Sequence, residues 1–147
     1  MASAGGGILA ATRGRGGNRH RLAFQLRVKR QQRQVRARPT AAALFPLHAG
    51  IASPERARST AAMVRAQLLK PGGLVTTTID SGQQWDAPNV WAPLQWIAVD
   101  GLRRYGEDAL ARDIAAGFLG NVQALFAREH KLVEKYDADG ALQGGGG

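Results

Sequence analysis

Two consecutive segments near the end of the chain have the apolar spacing of amphipathic α-helices, and this pattern limits the fold more than any other feature. The first runs from about Ala92 to Tyr105 and the second from Glu107 to about His130, with Gly106 ending the first. Apolar residues recur at helical spacing in both: Leu94, Ile97, Ala98 and Leu102, then Leu110, Ile114, Phe118, Val122 and Leu125. We therefore predict an all-α fold of packed helices.

An earlier helix is marked by the residues that begin and end it. The Ser-Pro-Glu run at 53–55 provides an N-cap, a first-turn proline and a first-turn acid. The Pro-Gly-Gly run at 71–73 stops this helix after Lys70. The short β-branched stretch 74–81 then predicts an extended connector or one strand of a small ribbon. The apolar stretch upstream predicts a further helix that ends near Phe45.

Charge divides the chain into two regions. Residues 1–38 hold ten of the twenty Lys and Arg residues and no acid, whereas residues 39–147 hold the other ten against all eleven acids. The first region is also rich in Gly and Gln and cannot bury enough apolar surface to fold alone, so we predict a disordered basic leader. Its composition is compatible with an RNA-binding tail, a targeting peptide, a non-native segment produced by truncation or a frame change, or a solvated tail.

The region 39–147 is predicted to form one domain with a modest core. Its net charge of −1, ten bases minus eleven acids, argues against nucleic-acid binding by this region. No apolar run approaches the ~18 residues of a membrane span, and the chain has no cysteine for disulfide or thiolate chemistry. His48 has no ligand-type neighbour at metal spacing, so we predict a packed or rim histidine. These features leave the compartment and the oligomeric state open.

The three tryptophans of the chain all lie within the segment 82–96. Trp85, Trp91 and Trp96 alternate there with amide and carboxylate side chains: Gln83, Gln84, Asp86, Asn89 and Gln95. Planar aromatic faces beside hydrogen-bonding groups suit a carbohydrate, which offers C–H faces and hydroxyls. Pro88 and Pro93 favour a shaped loop that leads into the helix. The alternative interpretation is a buried aromatic cluster within the core.

A second polar motif, Val-Glu-Lys-Tyr-Asp at 133–137, follows the end of the last predicted helix. Its side chains can project from a loop, and the carboxylate of Glu134 stands beside a Lys and a Tyr that could tune it. Taken alone, the motif is more typical of a solvated helix exit.

Together these motifs resemble a known enzyme family. The run Gln-Gln-Trp-Asp-Ala-Pro-Asn-Val-Trp-Ala-Pro-Leu-Gln-Trp at 83–96 is similar to a signature of the inverting trehalases, glycoside hydrolase family 37. The resemblance continues through the Lys-Leu-Val-Glu-Lys-Tyr-Asp run at 131–137 to the glycines at 144–147, and upstream through Leu-Phe-Pro-Leu at 44–47. It covers residues 39–147.

The resemblance implies a fold, an activity and roles for individual residues. The fold would be part of an (α/α)6 toroid, in which loops at one end form the substrate cup. The activity would be hydrolysis of α,α-trehalose to two glucose molecules, without a metal or an organic cofactor. Glu134 stands at the position of the catalytic base, with Tyr136 and Asp137 as supporting groups. The residues Gln84, Trp85 and Asp86 would bind the sugar.

Two departures from the family pattern qualify this expectation. The family has Gly where this chain has Val90, which would strain the backbone if that position requires a positive φ. The family's general acid lies in a Gly-Trp-Asp motif that this sequence lacks. We therefore expect a trehalase fragment that is inactive by itself. The alternative is a noncatalytic remnant whose Arg/Gly-rich tail binds nucleic acid.

Overall fold

The computed structural model describes residues 38–139. The predicted leader, apart from Arg38, lies outside the described residues, as do the glycines at 144–147. The predictions of a disordered or nucleic-acid-binding leader therefore stay predictions.

The described part of the chain is mostly helical, with two small β-ribbons, and this confirms the predicted helical fold class. The elements, in chain order, are a 3₁₀ turn Ala41–Leu44, α1 Phe45–His48, α2 Pro54–Met63, a π-helical turn Val64–Leu68, β1 Leu69–Lys70, β2 Gly73–Leu74, β3 Asn89–Trp91, α3 Ala92–Arg104, α4 Asp108–Glu129 and β4 Lys135–Asp137. Both long helices occupy the positions that their apolar spacing predicts. No helix within 38–139 is both long enough and apolar enough to cross a membrane.

Helices α3 and α4 pack against each other, and their predicted apolar residues are buried or partly buried against one core. Leu102, Leu110 and Ile114 are almost completely buried. The same core takes in buried residues from the earlier elements, namely Leu44, Leu47, Val64, Leu68, Leu74 and Val75. Helix α1 approaches α3 closely at Gly101, where an added Cβ would lie 2.7 Å from the His48 backbone nitrogen. Glycine is therefore needed at this crossing.

The earlier helix begins as predicted but ends differently. The Ser53 hydroxyl accepts a hydrogen bond from Arg56 N at 3.3 Å, which confirms the N-cap. The helix does not run to Lys70: it widens into a π-turn and ends at Leu68, and Leu69–Lys70 pairs with Gly73–Leu74 instead. The tight Pro-Gly turn and Gly73, with φ of +121°, favour this hairpin.

Two shorter predictions need correction. The predicted helix ending near Phe45 instead continues from a 3₁₀ turn into α1 and reaches His48. Pro46 is tolerated because it lies in the first turn, where its missing N–H has no helical partner. Only Leu74 of the predicted connector 74–81 lies in a strand, and Thr77 makes an isolated bridge with Thr40.

Candidate functional site

A β-ribbon brings the two polar motifs of the sequence together. Strand β3, from the tryptophan segment, pairs antiparallel with β4, from the Val-Glu-Lys-Tyr-Asp motif. In this register Asn89 lies opposite Asp137, and Trp91 lies opposite Lys135. Glu134 immediately precedes Lys135, so it stands at the end of the ribbon where α3 begins. Both motifs were predicted as loops, and their pairing was not predicted.

The two faces of the ribbon have different environments. Val90 and Tyr136 lie opposite each other and are buried in the core. Because side chains alternate along a strand, Trp91 and Lys135 lie on the other face. The ring of Trp85 stacks on Trp91, with centroids 4.1 Å apart and planes 11° apart.

This stack gives the two tryptophans different roles. Trp91 is only 4% exposed, and its Nε1–H donates to the Gln84 carbonyl at 3.3 Å. Trp85 is 54% exposed, because only one face of its ring is covered. Trp91 is therefore buried, as the alternative interpretation predicted, whereas Trp85 offers an open aromatic face and its contact with a sugar stays a prediction. Trp96 lies apart on α3 and is 68% exposed.

Asp86 is engaged within its own loop. Its carboxylate accepts hydrogen bonds from the Thr77 hydroxyl at 3.2 Å and from the Ser81 hydroxyl. Its backbone carbonyl also accepts from the Asn89 side-chain amide at 3.1 Å. These bonds give Asp86 a structural role in shaping the loop that carries Trp85. Gln84 is exposed beside Trp85, and its predicted contact with substrate stays a prediction.

Gln95 does not face the candidate site. It is 3% exposed, its Oε1 accepts from Leu74 N at 2.7 Å, and its Nε2 donates to Leu74 O at 2.8 Å and to Trp91 O at 3.3 Å. The side-chain amide of Gln95 therefore links β2 to the start of α3 through backbone hydrogen bonds. The grouping of Gln95 with sugar-binding amides was wrong, because burial makes its partners backbone groups.

Glu134 is exposed, and the backbone beside it is held by Tyr136. Val133 N donates to the Tyr136 hydroxyl at 3.3 Å, which closes a tight loop around Glu134. The Tyr136 ring packs edge-on against Phe118, with centroids 5.4 Å apart. The Glu134 carboxylate thus projects from a short segment whose two ends are anchored to α4 and to the ribbon.

Sequence reasoning missed Asn121, which fastens both ribbons to α4. Its Nδ2 donates to the Asp137 carbonyl at 2.7 Å and to the Gly72 carbonyl at 3.3 Å. Gly72 N donates in turn to Ala138 O at 2.7 Å, and Ala138 N donates to Pro88 O at 2.8 Å. A single asparagine in a helix usually faces solvent. The sequence therefore offered no signal that Asn121 would bind the backbone of both ribbons.

His48 takes part in an ion-pair cluster with Asp100 and Arg104 of α3. Its Nδ1 lies 2.7 Å from the Asp100 carboxylate, which also accepts from Arg104 Nε at 2.8 Å. The structure therefore accounts for His48 as a packed rim histidine. Within 38–139, no group of three or more His or acidic residues is placed to hold a metal ion.

The Asp100 cluster predicts a specific dependence of stability on pH. Hydrogen bonds from Arg104, and secondarily from His48, lower the pKa of Asp100 below 3.8 and outweigh the opposing effect of desolvation. The charged carboxylate therefore stabilises the fold fully above pH 3.8, and this contribution is lost as the pH falls through the lower folded-state pKa. We expect Asp100→Asn to unfold at lower urea than the parent at about pH 6, with the difference shrinking below about pH 4.

Asp80→Asn is the matched control, because the Asp80 side chain forms no hydrogen bond or ion pair with the part of the chain that the structure describes. Its difference from the parent should not show this convergence. A gap between Asp100→Asn and the parent that stays constant down to about pH 2.5 would contradict the assigned role.

The β3–β4 ribbon thus places an open tryptophan face and an exposed glutamate on one helical scaffold. A profile of the family described as Trehalase matches residues 24–147, so the chain belongs to the trehalase family. The match begins at Phe24, upstream of the 39–147 region that the motifs marked out and inside the predicted leader.

Known relatives agree with this assignment. The chain is 66% identical over 117 residues to the periplasmic trehalase of Xanthomonas campestris and 63% identical to that of Pseudomonas aeruginosa, covering 80% of this chain in each case. It covers 21% and 22% of those two proteins, so it spans about a fifth of their length.

Solved structures resemble the described fold. The neutral trehalase of Saccharomyces cerevisiae matches with a TM-score of 0.63 and 31% identity, over 69% of this chain and 20% of that one. An uncharacterized conserved protein from Thermus thermophilus matches with a TM-score of 0.60 and 30% identity, over 75% of this chain and 28% of that one.

Proposed function

We propose that this chain supplies the general base and part of the substrate wall for hydrolysis of α,α-trehalose to two glucose molecules by an inverting mechanism. The observation that carries the proposal is the β3–β4 ribbon, which joins the tryptophan motif to the Glu134 motif. Membership of the trehalase family supports the substrate. The exposed ring of Trp85 stacks on the buried Trp91, and the exposed Glu134 lies beside the buried Tyr136.

The proposed mechanism assigns one step to each group. A glucose ring stacks on the open face of Trp85, and Gln84 contributes side-chain hydrogen bonds to its hydroxyls. Glu134 takes a proton from a water molecule, which attacks the anomeric carbon from the face opposite the leaving oxygen. Asp86 acts on substrate indirectly, by holding the loop through Thr77 and Ser81.

A second carboxyl group must protonate the leaving oxygen. In inverting enzymes it stands roughly 6.5–9.5 Å from the base, so that the attacking water fits between them. Two other carboxylates of the ribbon region have local partners: Asp86 accepts from hydroxyl groups, and Asp137 accepts from Asp139 N at 2.8 Å. The general acid is therefore proposed to come from a part of the trehalase domain that this sequence does not contain.

The purified chain is expected to release no glucose from trehalose above the uncatalysed background. One carboxylate cannot both protonate the departing oxygen and activate water on the opposite face. The measurement is a coupled glucose assay, with the Xanthomonas campestris periplasmic trehalase as the positive control. In a chimaera, residues 39–147 replace the matching segment of that relative, and this protein should release glucose.

The chimaera also tests the aromatic platform. Trp85→Ala should raise the KM for trehalose by roughly tenfold or more, since it removes the stacking surface. Trp96→Ala is the matched control, because Trp96 is also exposed but lies on α3, apart from the stacked pair. Robust glucose release by the chain alone, or an inactive chimaera that is well folded, would contradict the proposed function.

A further inference from the structure

The side-chain amide of Gln95 ties strand β3 to the β1–β2 hairpin. Its Oε1 accepts from Leu74 N at 2.7 Å, and its Nε2 donates to Leu74 O at 2.8 Å. The same Nε2 donates at 3.3 Å to the carbonyl of Trp91, the last residue of β3. The ring of Trp85 stacks on Trp91. Gln95 therefore holds the support on which the proposed aromatic platform rests.

The side-chain amide of Asn121 ties strand β4 to the turn of the same hairpin. Its Nδ2 donates at 2.7 Å to the carbonyl of Asp137, the last residue of β4. It also donates at 3.3 Å to the carbonyl of Gly72, which lies in the turn between β1 and β2. Glu134 directly precedes β4. Asn121 therefore holds the strand that begins beside the proposed general base.

The hairpin turn packs closely against helix α4, so that contact as well as hydrogen bonding sets its position. A Cβ added at Gly72 would lie 2.6 Å from Asn121 Nδ2 and 2.7 Å from Ala138 O. A Cβ added at Gly117 of α4 would lie 2.6 Å from Pro71 O. These distances are too short for a real side chain, so glycine is needed at both approaches. The hairpin is thus a fixed support for the two strands that are tied to it.

The β3–β4 ribbon needs such outside support to hold a base in place. Each of its strands has three residues, and a ribbon of two short strands is marginally stable by itself. The Tyr136 ring packs on Phe118 of α4, and the Tyr136 hydroxyl accepts from Val133 N at 3.3 Å. The backbone is therefore connected to α4 on both sides of Glu134, through Tyr136 before it and through Asn121 after it.

We propose that the two amides position the two halves of the proposed site separately: Asn121 positions Glu134, and Gln95 positions Trp85. The inference rests on the proposed function for the roles of Glu134 and Trp85. Each amide links the hairpin to one strand of the ribbon, so the hairpin is a common reference for both halves. Such support matters because a misplacement of about 1 Å can slow a reaction roughly a hundredfold.

The test compares kcat and KM for trehalose in the chimaera that carries residues 39–147. Asn121→Ala should lower kcat by roughly ten- to a hundredfold and change KM by less than about threefold, because the base moves and the platform stays. Gln95→Met should raise KM by about tenfold and change kcat by less than about threefold, because the platform loses its support. Circular dichroism gives the folded fraction of each variant, and kcat is corrected for it.

Gln123→Ala and Gln67→Met are the matched controls. Both side chains are exposed and form no hydrogen bond with residues 38–139, and Gln123 lies on α4 close to Asn121. Both variants should keep the parental kcat and KM. Asn121→Asp is a second change at the same position. It keeps the size of the side chain but replaces the donor with an acceptor, so it should lower kcat as Asn121→Ala does.

Hydrogen exchange in the full chain gives a measurement that does not depend on activity. Asn121→Ala should speed exchange by about tenfold or more in the segment 133–138 and leave the segment 85–91 near its parental rate. Gln95→Met should give the reverse pattern. A role in general stability alone would instead speed exchange in both segments with either variant.

Two results would overturn the proposal. The first is that Asn121→Ala and Gln95→Met change kcat and KM by the same factors, or that either variant keeps parental kinetics. The second is that either variant speeds exchange equally in both segments. The opposite changes in kcat and KM, together with the two exchange patterns, would support it.

Glu134→Gln in the same chimaera separates this inference from the proposed function. If Glu134→Gln loses turnover while Asn121→Ala keeps the parental kcat, the proposed function stands and the positioning role of Asn121 fails. If Glu134→Gln keeps the parental kcat, the proposed function fails, and the exchange patterns decide whether the two amides anchor the strands separately.

Discussion

Glu134→Gln is expected to lower kcat for trehalose by roughly 10²–10⁴-fold in the chimaera that carries residues 39–147, the range typical of losing a general base. The amide keeps the shape of the side chain but cannot take a proton from the attacking water. Binding of trehalose should change little, because the Trp85 platform and the ribbon are untouched. The measurement is a comparison of kcat from glucose release with the Kd for trehalose from calorimetry.

Asp139→Asn provides the matched control, since it neutralises an exposed carboxylate five residues further along the chain. Its kcat should stay near that of the parent chimaera. If Glu134→Gln turned over at the parental rate, Glu134 would not be the base. If kcat and binding collapsed together, the residue would instead be needed to hold the site in shape.

Val90→Gly is expected to lower the free energy of unfolding by about 3 kcal/mol, the sum of a lost buried side chain, a cavity and the greater freedom of Gly in a strand. The expectation of a strained backbone at Val90 was wrong, because Val90 does not have a positive φ. His130, with φ of 52°, is the one non-glycine residue of 38–139 with a positive φ, whereas Val90 lies in β3 and is fully buried. Urea unfolding of the full chain measures the loss.

Val90→Ala distinguishes a buried strand position from a position whose backbone is strained at positive φ. In a buried strand the stability order is Val, then Ala, then Gly, with Gly about 0.5–1 kcal/mol below Ala. A backbone held at positive φ would reverse the last two, because Ala is strained there and Gly is not. A glycine variant that is more stable than the alanine variant would therefore restore the strain hypothesis.

The long helices could be predicted because their signal is local. The apolar spacing that begins at Leu94 and the stop at Gly106 lie within the segments they describe, and α3 and α4 follow them closely. The ribbons depend on partners far apart in sequence, such as Asn89 and Asp137. A strand of three residues carries no periodicity of its own, so this pairing could not be inferred from either motif alone.

The candidate site was only partly predictable for a related reason. Residue type placed Trp85 among the candidates, the family resemblance added Glu134, and both side chains are exposed. Residue type could not separate Trp85 from Trp91, or an exposed Gln84 from a buried Gln95, because that separation depends on which side faces the core. Asn121 was missed because its partners are backbone carbonyls of distant segments.

The stereochemistry of the first products tests the assignment of Glu134 most directly. In the chimaera, water activated by Glu134 attacks the anomeric carbon from the face opposite the leaving oxygen. Each trehalose molecule should then give one β-glucose and one α-glucose. Proton NMR, recorded before the anomers interconvert, should show equal amounts of both at the start of the reaction. Initial release of α-glucose alone would mean retention at the reacting centre, and it would contradict the role of Glu134 as the base of an inverting hydrolysis.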